Sequence, residues 1–335
     1  MVEFRGKLER ILTKDSVKTG EPMREHTTFR IGGPADYYVI PESTEQLAAV
    51  IGLCREEHMP YYVIGNGSNL LVRDGGYRGV IIAMTERMGR CVVEENRVRA
   101  GAGIRLYHLA REIEKASLTG FEFAAGIPGT LGGALVMNAG AYGSEMKDVL
   151  RSAKVLDSDG CVKELAAEEL ELGYRTSSIP AKNYIVLEGV LELKPGDRET
   201  IRRRIEELGK KRREKQPLNY PSAGSTFKRP KGHFAGALIE EAGLKGFRIG
   251  DAEVSEKHSG FVINRGQATA ADVIGLCKEV SARVKEQTGI DLEMEVKILG
   301  TDDPKEPDGQ KSTGGQKRTD GQKRTDGQME ADGQI

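Results

Sequence analysis

Tryptophan is missing from the 335 residues, and none of the four cysteines belongs to a CxxC pair. Cys54, Cys91, Cys161 and Cys277 lie far apart, so neither a metal framework nor a disulfide framework is expected. Sparse, unpaired cysteine fits a reducing cytoplasm. No stretch approaches the roughly 18–20 apolar residues of a membrane span. Residues 1–21 are charged throughout and lack the apolar centre of a signal peptide. Charge of one sign is lacking too: 50 Lys and Arg face 51 Asp and Glu, a formal net charge of −1. No basic field is available to gather nucleic acid. With 38% hydrophobic and 30% charged residues the chain reads as globular and cytoplasmic, with small molecules as partners, no nucleic acid and no membrane. Its length calls for two or three domains.

Two familiar phosphate-binding patterns are also missing. There is no Gly-x-x-x-x-Gly-Lys-Ser/Thr loop. Gly101-Ala102-Gly103 lacks the third glycine and the later acidic residue of a dinucleotide fingerprint. Glycine itself is abundant, at 42 residues, and six of them fall within residues 125–143. Each costs roughly 0.5–1 kcal/mol of backbone entropy relative to alanine. Such density is explained where something large lies directly on the main chain, most often a phosphate. A second turn, Gly65-Asn66-Gly67-Ser68-Asn69, follows an apolar run. Together the turns suggest a nucleotide cofactor held by a different fold; each alone could equally be a strand connection. Asn66, Ser68 and Asn69 could add side-chain hydrogen bonds or simply form the turn.

Helices are expected over 43–57, 104–116, 197–215, 234–242 and 269–286, with Ser43 to Gln46 as a capping box. Ile201, Ile205 and Leu208 form the apolar stripe of the third. Strands are expected over 36–40, 61–64, 70–72, 79–84, 97–100, 154–157, 184–193 and 292–299. This order suggests α+β or α/β, with a boundary near Lys215. From about Thr301 an Asp-Gly-Gln repeat with almost no apolar residue reads as a disordered tail.

Four further segments could carry chemistry. Ser225, between Gly224 and the basic pair Lys228-Arg229, could be a nucleophile, proton donor or phosphate contact, or plain loop. No Gly-x-Ser-x-Gly elbow surrounds it. Arg175 among hydroxyls could clamp a carboxylate, or be a surface arginine. Strand alternation places Glu293 and Glu295 on one face, where a glutamate in a cleft could donate a proton or stabilise charge. The basic run 210–215 is either a solvated helix end suited to the helix dipole or an anchor for phosphates.

The segments 28–35, 65–71, 126–133, 173–175, 224–228 and 293–296 occur in the order of the UDP-N-acetylenolpyruvoylglucosamine reductases, and the chain resembles that family over about residues 20–300. The resemblance implies an α+β fold: an FAD-binding domain of the vanillyl-alcohol-oxidase (PCMH) type with a smaller α+β substrate-binding domain. It divides the chain into an N-terminal segment 1–22, an FAD domain 23–200, a substrate domain 201–300 whose last strand returns to the FAD site, and the tail 301–335. It implies NADPH-dependent, FAD-mediated reduction of UDP-N-acetylglucosamine enolpyruvate to UDP-N-acetylmuramate in peptidoglycan precursor synthesis. Ser225 would donate the proton, with Arg175 and Glu295 stabilising the carbanion. FAD would lie against Ile64, Gly65, Asn66, Gly67, Ser68, Asn69 and Leu70, and against Ala125, Gly126, Pro128, Gly129, Thr130, Gly132, Gly133, Asn138 and Gly140. Tyr174, Lys215, Lys228, Arg229 and His258 would meet substrate, and no metal is implied.

The chain departs from the family pattern at two places. Some members carry Asn where this chain has Arg229, so a direct hydrogen bond from that position to the uridine is not assured. Pro230 runs within four residues to Phe234, leaving no room for the tyrosine-bearing loop of other members. The first glycine turn offers no histidine for covalent flavin attachment, so the FAD is expected to be non-covalent. The alternatives are another flavin oxidoreductase of this fold, acting on an alcohol or sugar, and a non-catalytic nucleotide-sugar binding protein.

Overall fold

The structure, a computed structural model, describes residues 2–303; the repeat tail lies, from residue 304 on, outside the described residues. Helix α1 (Val2–Ile11) leads into strand β1 (Val17–Pro22). With β2 (Pro34–Val39), β3 (Tyr61–Ile64) and β5 (Tyr77–Ala83) it makes a four-stranded sheet in the order β1-β2-β5-β3. The β1–β2 pair is antiparallel and the other two pairs are parallel. The short strand β4 (Leu70–Val72) follows the turn after β3. Helix α2 (Thr44–Glu56) bridges β2 and β3. Its cap differs from the expected box: the Ser43 hydroxyl accepts from Gln46 N–H, but the Gln46 side chain reaches back to Glu42 N–H at 2.8 Å.

Strands β6 (Cys91–Glu94), β7 (Arg97–Gly101), β8 (Leu150–Leu156), β9 (Val162–Ala166) and β10 (Ile185–Glu192) form a second, antiparallel sheet in the order β9-β8-β10-β7-β6. One face is charged, with Arg99 paired to Glu188 and Arg151 to Glu192. The other carries helices α3 (Leu106–Lys115) and α4 (Leu131–Val136). Gly189 of β10 lets α4 approach: an added Cβ would stand 3.3 Å from both Leu131 and Leu135. A large core runs through these two sheets from Phe4 to Leu193.

The 18-residue helix α5 (Arg198–Lys215) is N-capped by Asp197, whose carboxylate accepts from Thr200 N–H. Ile201 and Leu208 of its stripe are buried, and it packs on α3 and the turn 122–124. A second core joins helices α6 (Ala235–Glu241) and α7 (Ala270–Thr288) to the three-stranded sheet of β11 (Arg248–Ile249), β12 (Ala252–Val254) and β13 (Val262–Asn264). Phe29, Ile31 and Leu71 enter this second core from the first part of the chain. Asp74 adds a polar tie, its two carboxylate oxygens accepting from Ala270 and Ala271 N–H at the start of α7.

The single strand expected over 292–299 is two pieces. Met294 bridges to Phe227, the chain bends, and β14 (Lys297–Leu299) then runs parallel to β4. The break has a physical reason: the segment serves two partners, the loop at 226–228 and β4 beside the first glycine turn.

Candidate active site

The two glycine-rich turns meet. Asn66 Nδ2 donates to Pro128 O at 2.6 Å, and an added Cβ on Gly65 would fall 2.1 Å from Thr130 Oγ1. Gly67 has φ of +59° and packs so closely on His26 O that a Cβ would stand 2.2 Å away. Side chains are excluded there by space and by backbone conformation. Across the gap, Gly129 would bring a Cβ no nearer than 3.7 Å, to Ser68 Oγ. Among the described residues, the backbone N–H groups of Asn66, Gly67, Ser68 and Asn69 find no protein acceptor. Free N–H groups beside glycine fit the pyrophosphate of a dinucleotide cofactor. Ile64 and Leu70 close the ends of this turn as buried strand residues. Thr130 caps α4, Gly132 N–H is taken by Ala102 O, and Gly133 N–H by Thr130 Oγ1. Ala125 and Gly126 form the near end of the second turn, where Gly126 O accepts from the Arg212 guanidinium.

Asn138, expected against the cofactor, has its side chain engaged by the protein itself. It is fully buried, donates to Gly173 O at 3.0 Å and accepts from Lys147 N–H at 2.9 Å. Its side chain is committed to holding the next turn. There, Gly173 and Thr176 exchange backbone hydrogen bonds around Tyr174 and Arg175, and Arg175 sits at φ +55°. A non-glycine residue in the left-handed region is strained, and such strain gathers at functional sites. Gly140, also expected against the cofactor, contributes a carbonyl that accepts from Arg175 at 3.2 Å.

Arg175 Nε lies 2.9 Å from Glu295 Oε1. Burial pushes the Glu295 carboxyl above its ordinary pKa, against the opposing pull of Arg175. Glu293 and Glu295 differ sharply: the first side chain is 72% exposed and pairs with Lys228, the second is 13% exposed. The backbone of Glu295 joins the two halves of the site. Its N–H donates to Thr226 O at 2.8 Å, and its carbonyl accepts from Asn69 Nδ2 at 3.2 Å. Ser225, one residue before Thr226, is exposed at this junction, after Gly224 at φ +79°.

The expected substrate residues surround the same loop. Tyr174 accepts from Arg229 N–H at 3.2 Å, and its ring lies 5.3 Å from the Arg175 guanidinium. His258 Nδ1 accepts from Gly260 N–H at 3.1 Å, so its proton sits on Nε2. Burial lowers its pKa, with Lys215 adding repulsion of the charged form. Lys215 itself is exposed at the end of α5 and makes no ion pair among the described residues. The basic run of α5 is thus divided. Lys211 pairs with Glu207 on the solvent side, while Arg212 turns inward to Gly126, its pKa lowered by burial.

Sequence reasoning assigned no role to Thr28 or Phe234, and assigned Arg212 one only as part of the basic run 210–215. Thr28 lies between the two halves: its N–H donates to Gly67 O at 3.3 Å and its hydroxyl to Ser222 O at 2.7 Å. Its place in the quoted segment 28–35 was the only available signal, because the partner lies 194 residues away.

Residues 35–166 match the model of an FAD binding domain, which makes the protein a flavoenzyme. Residues 216–299 match the C-terminal domain of UDP-N-acetylenolpyruvoylglucosamine reductase. The UDP-N-acetylenolpyruvoylglucosamine reductase of Clostridium kluyveri is 50% identical over 300 residues, covering 90% of this chain and 98% of that protein. That of Clostridium botulinum is 53% identical over 292 residues, 87% of this chain and 95% of that one. The crystal structure of the Thermus caldophilus enzyme superposes with a TM-score of 0.72 at 39% identity, covering 83% of this chain and 97% of that one. The chain belongs to the UDP-N-acetylenolpyruvoylglucosamine reductase family, and its α+β fold with an FAD-binding domain is the one the resemblance implied.

Proposed function

We propose that the protein reduces UDP-N-acetylglucosamine enolpyruvate to UDP-N-acetylmuramate with NADPH, in the cytoplasm, as a step of peptidoglycan precursor synthesis. Hydride-transfer chemistry would be supplied by bound FAD, between NADPH and the methylene carbon of the enolpyruvyl double bond. Negative charge then develops on the carbon beside the carboxylate, and the chain's own residues must stabilise and protonate it. Arg175, held by Glu295 and Gly140 O, places a cation where that charge gathers. Losing one such preorganised group typically costs about 3–4 kcal/mol in the barrier. Glu295 fixes the Arg175 side chain through its 2.9 Å contact with Nε, so the cation is already oriented when the charge develops. Ser225 gives its hydroxyl proton to the carbon, completing C–H bonds at both ends of the former double bond. Being exposed, its alkoxide regains a proton from solvent. A serine is a weak acid, so this works only against a strongly basic carbanion and with the hydroxyl already in place. The FAD would be non-covalent, since Asn66, Ser68 and Asn69 occupy the turn where a histidine would be required.

One observation carries this reading: Glu295 is hydrogen-bonded through its backbone both to the Ser225 loop and to Asn69 of the cofactor turn. The proton donor, the charge pair and the flavin turn therefore share one short segment. A non-catalytic binding protein would have no use for a strained arginine paired to a buried glutamate. Ser225→Ala tests the reading by stopped flow. Flavin reduction by NADPH should stay within about twofold of wild type, while reoxidation by the enolpyruvyl substrate falls by at least about 100-fold, the lower end for lost proton transfer. Equal loss in both half-reactions would remove Ser225 from the donor role.

A further inference from the structure

We propose that His26 is a positioning residue for the flavin: its side chain clamps the loop 26–28 to the first sheet and so holds the turn 65–69 in the shape that meets the cofactor. The inference rests on the reading of that turn as the FAD site and adds what keeps it in place. Thr28 N–H donates to Gly67 O at 3.3 Å. In a trans peptide the C=O and the following N–H point in opposite directions. With Gly67 O turned to Thr28, Ser68 N–H is turned away from the loop, and it finds no protein acceptor among the described residues. The contact is close. A Cβ added to Gly67 would stand 2.2 Å from His26 O and 3.0 Å from Thr27 Cα. A shift of the loop 26–28 is therefore a shift of the turn.

The His26 side chain fastens this loop to β1 and β2. Its ring stacks on Tyr38, with centroids 4.0 Å apart and planes 26° apart. Its Nε2 donates to Glu21 Oε1 at 2.8 Å. Glu21 also accepts from Lys18 Nζ at 2.6 Å, and that ammonium lies 5.9 Å from the centre of the Tyr38 ring. The set is sheltered: the His26 and Glu21 side chains are 20% and 15% exposed. Tyr38 is buried in the apolar cluster that also holds Ile64 and Leu70, the residues that close the two ends of the flavin turn.

His26 thus reaches the turn by two routes. Its carbonyl meets the middle of the turn at Gly67, and its ring rests on the cluster that seats the ends. An exposed ion pair would add little to either. Here one side chain supplies both a flat face for Tyr38 and a directed N–H for Glu21, so the loop is fixed in position and in rotation. A turn fixed in advance loses less freedom when a ligand settles on its backbone, and that gain appears as affinity.

The test strips the full chain of FAD and titrates the cofactor back, following flavin fluorescence. His26→Ala should raise the FAD dissociation constant about tenfold, the combined loss of a hydrogen bond and a ring contact. His26→Phe keeps the stacked ring and loses the N–H, so the rise should shrink to about threefold. Glu21→Ala should also weaken FAD binding, and the double variant should bind no worse than His26→Ala, because Glu21 acts through His26. Melting curves of the FAD-free chains check folding; should His26→Ala fail to fold, His26→Phe and Glu21→Ala carry the same test. An FAD affinity of His26→Ala within about twofold of wild type overturns the proposal. So does a loss that His26→Phe does not reduce, or losses at positions 21 and 26 that simply add. A wild-type chain that binds no FAD would instead fail the functional reading itself, and since no substrate is present, the outcome is separate from that of the Ser225 half-reactions.

Discussion

Glu295 shows how far single residues could be read from the chain. Its residue type and its neighbour Met294 were visible, but alternation made it equivalent to Glu293. Folding separates them: one carboxylate is left in water with Lys228, the other is driven into a half-apolar junction against Arg175. The consequence is testable. Burial raises the folded-state pKa of Glu295, so the folded chain holds this proton at a pH where the unfolded chain has released it. Its contribution to stability is therefore fully present below the ordinary glutamate pKa and is lost as pH rises through the raised value. Glu295→Gln should flatten this decline, giving a melting temperature at pH 8 equal to or above that of wild type, while substrate-dependent flavin reoxidation falls. A variant that melts lower than wild type at pH 8 would show that the Arg175 pair outweighs the burial cost. Arg175 was legible as a candidate, but its positive φ and the support from Asn138 and Gly140 were not. Those depend on residues 35 positions away.

Among the elements, the long periodic helices were the most legible. The helix expected over 197–215 is found as Arg198–Lys215 with Asp197 as its cap, because its apolar stripe and capping residue are local signals. The strand over 292–299 was misread because alternation does not reveal that a segment changes partners midway. The two glycine turns could be located but not joined; their contact through Asn66 and Pro128 spans 62 residues. Thr28 is the clearest connector that sequence hid, tying the flavin turn to the loop of Ser225. Thr28→Val keeps the shape and removes the hydroxyl donor, a loss of about 1 kcal/mol in stability. Flavin reoxidation by substrate should slow several-fold more than flavin reduction by NADPH, and Thr28→Ser should recover most of the difference. Equal slowing of the two steps would mean that Thr28 supports the fold without positioning the serine loop.

At the scale of the molecule, the substrate unit is interlocked with the FAD-binding domain. Phe29, Ile31 and Leu71 fill the second core, Asp74 binds the start of α7, and β14 returns to β4. Helix α5, which the expected division places in the substrate domain, packs on the FAD side and reaches its cradle through Arg212. No described helix is long and apolar enough to cross a membrane. A flavin held without a covalent bond, as proposed, should leave with denaturant: after guanidinium treatment and filtration, the yellow colour should pass entirely into the filtrate. Colour retained on the protein would mean a covalent link. The central claim is tested most directly by following the flavin absorption of purified, FAD-loaded protein in the absence of oxygen. NADPH should bleach it, and UDP-N-acetylglucosamine enolpyruvate should then restore it with formation of UDP-N-acetylmuramate. A protein that takes up no FAD, or whose bleached flavin is untouched by that substrate, would contradict the account.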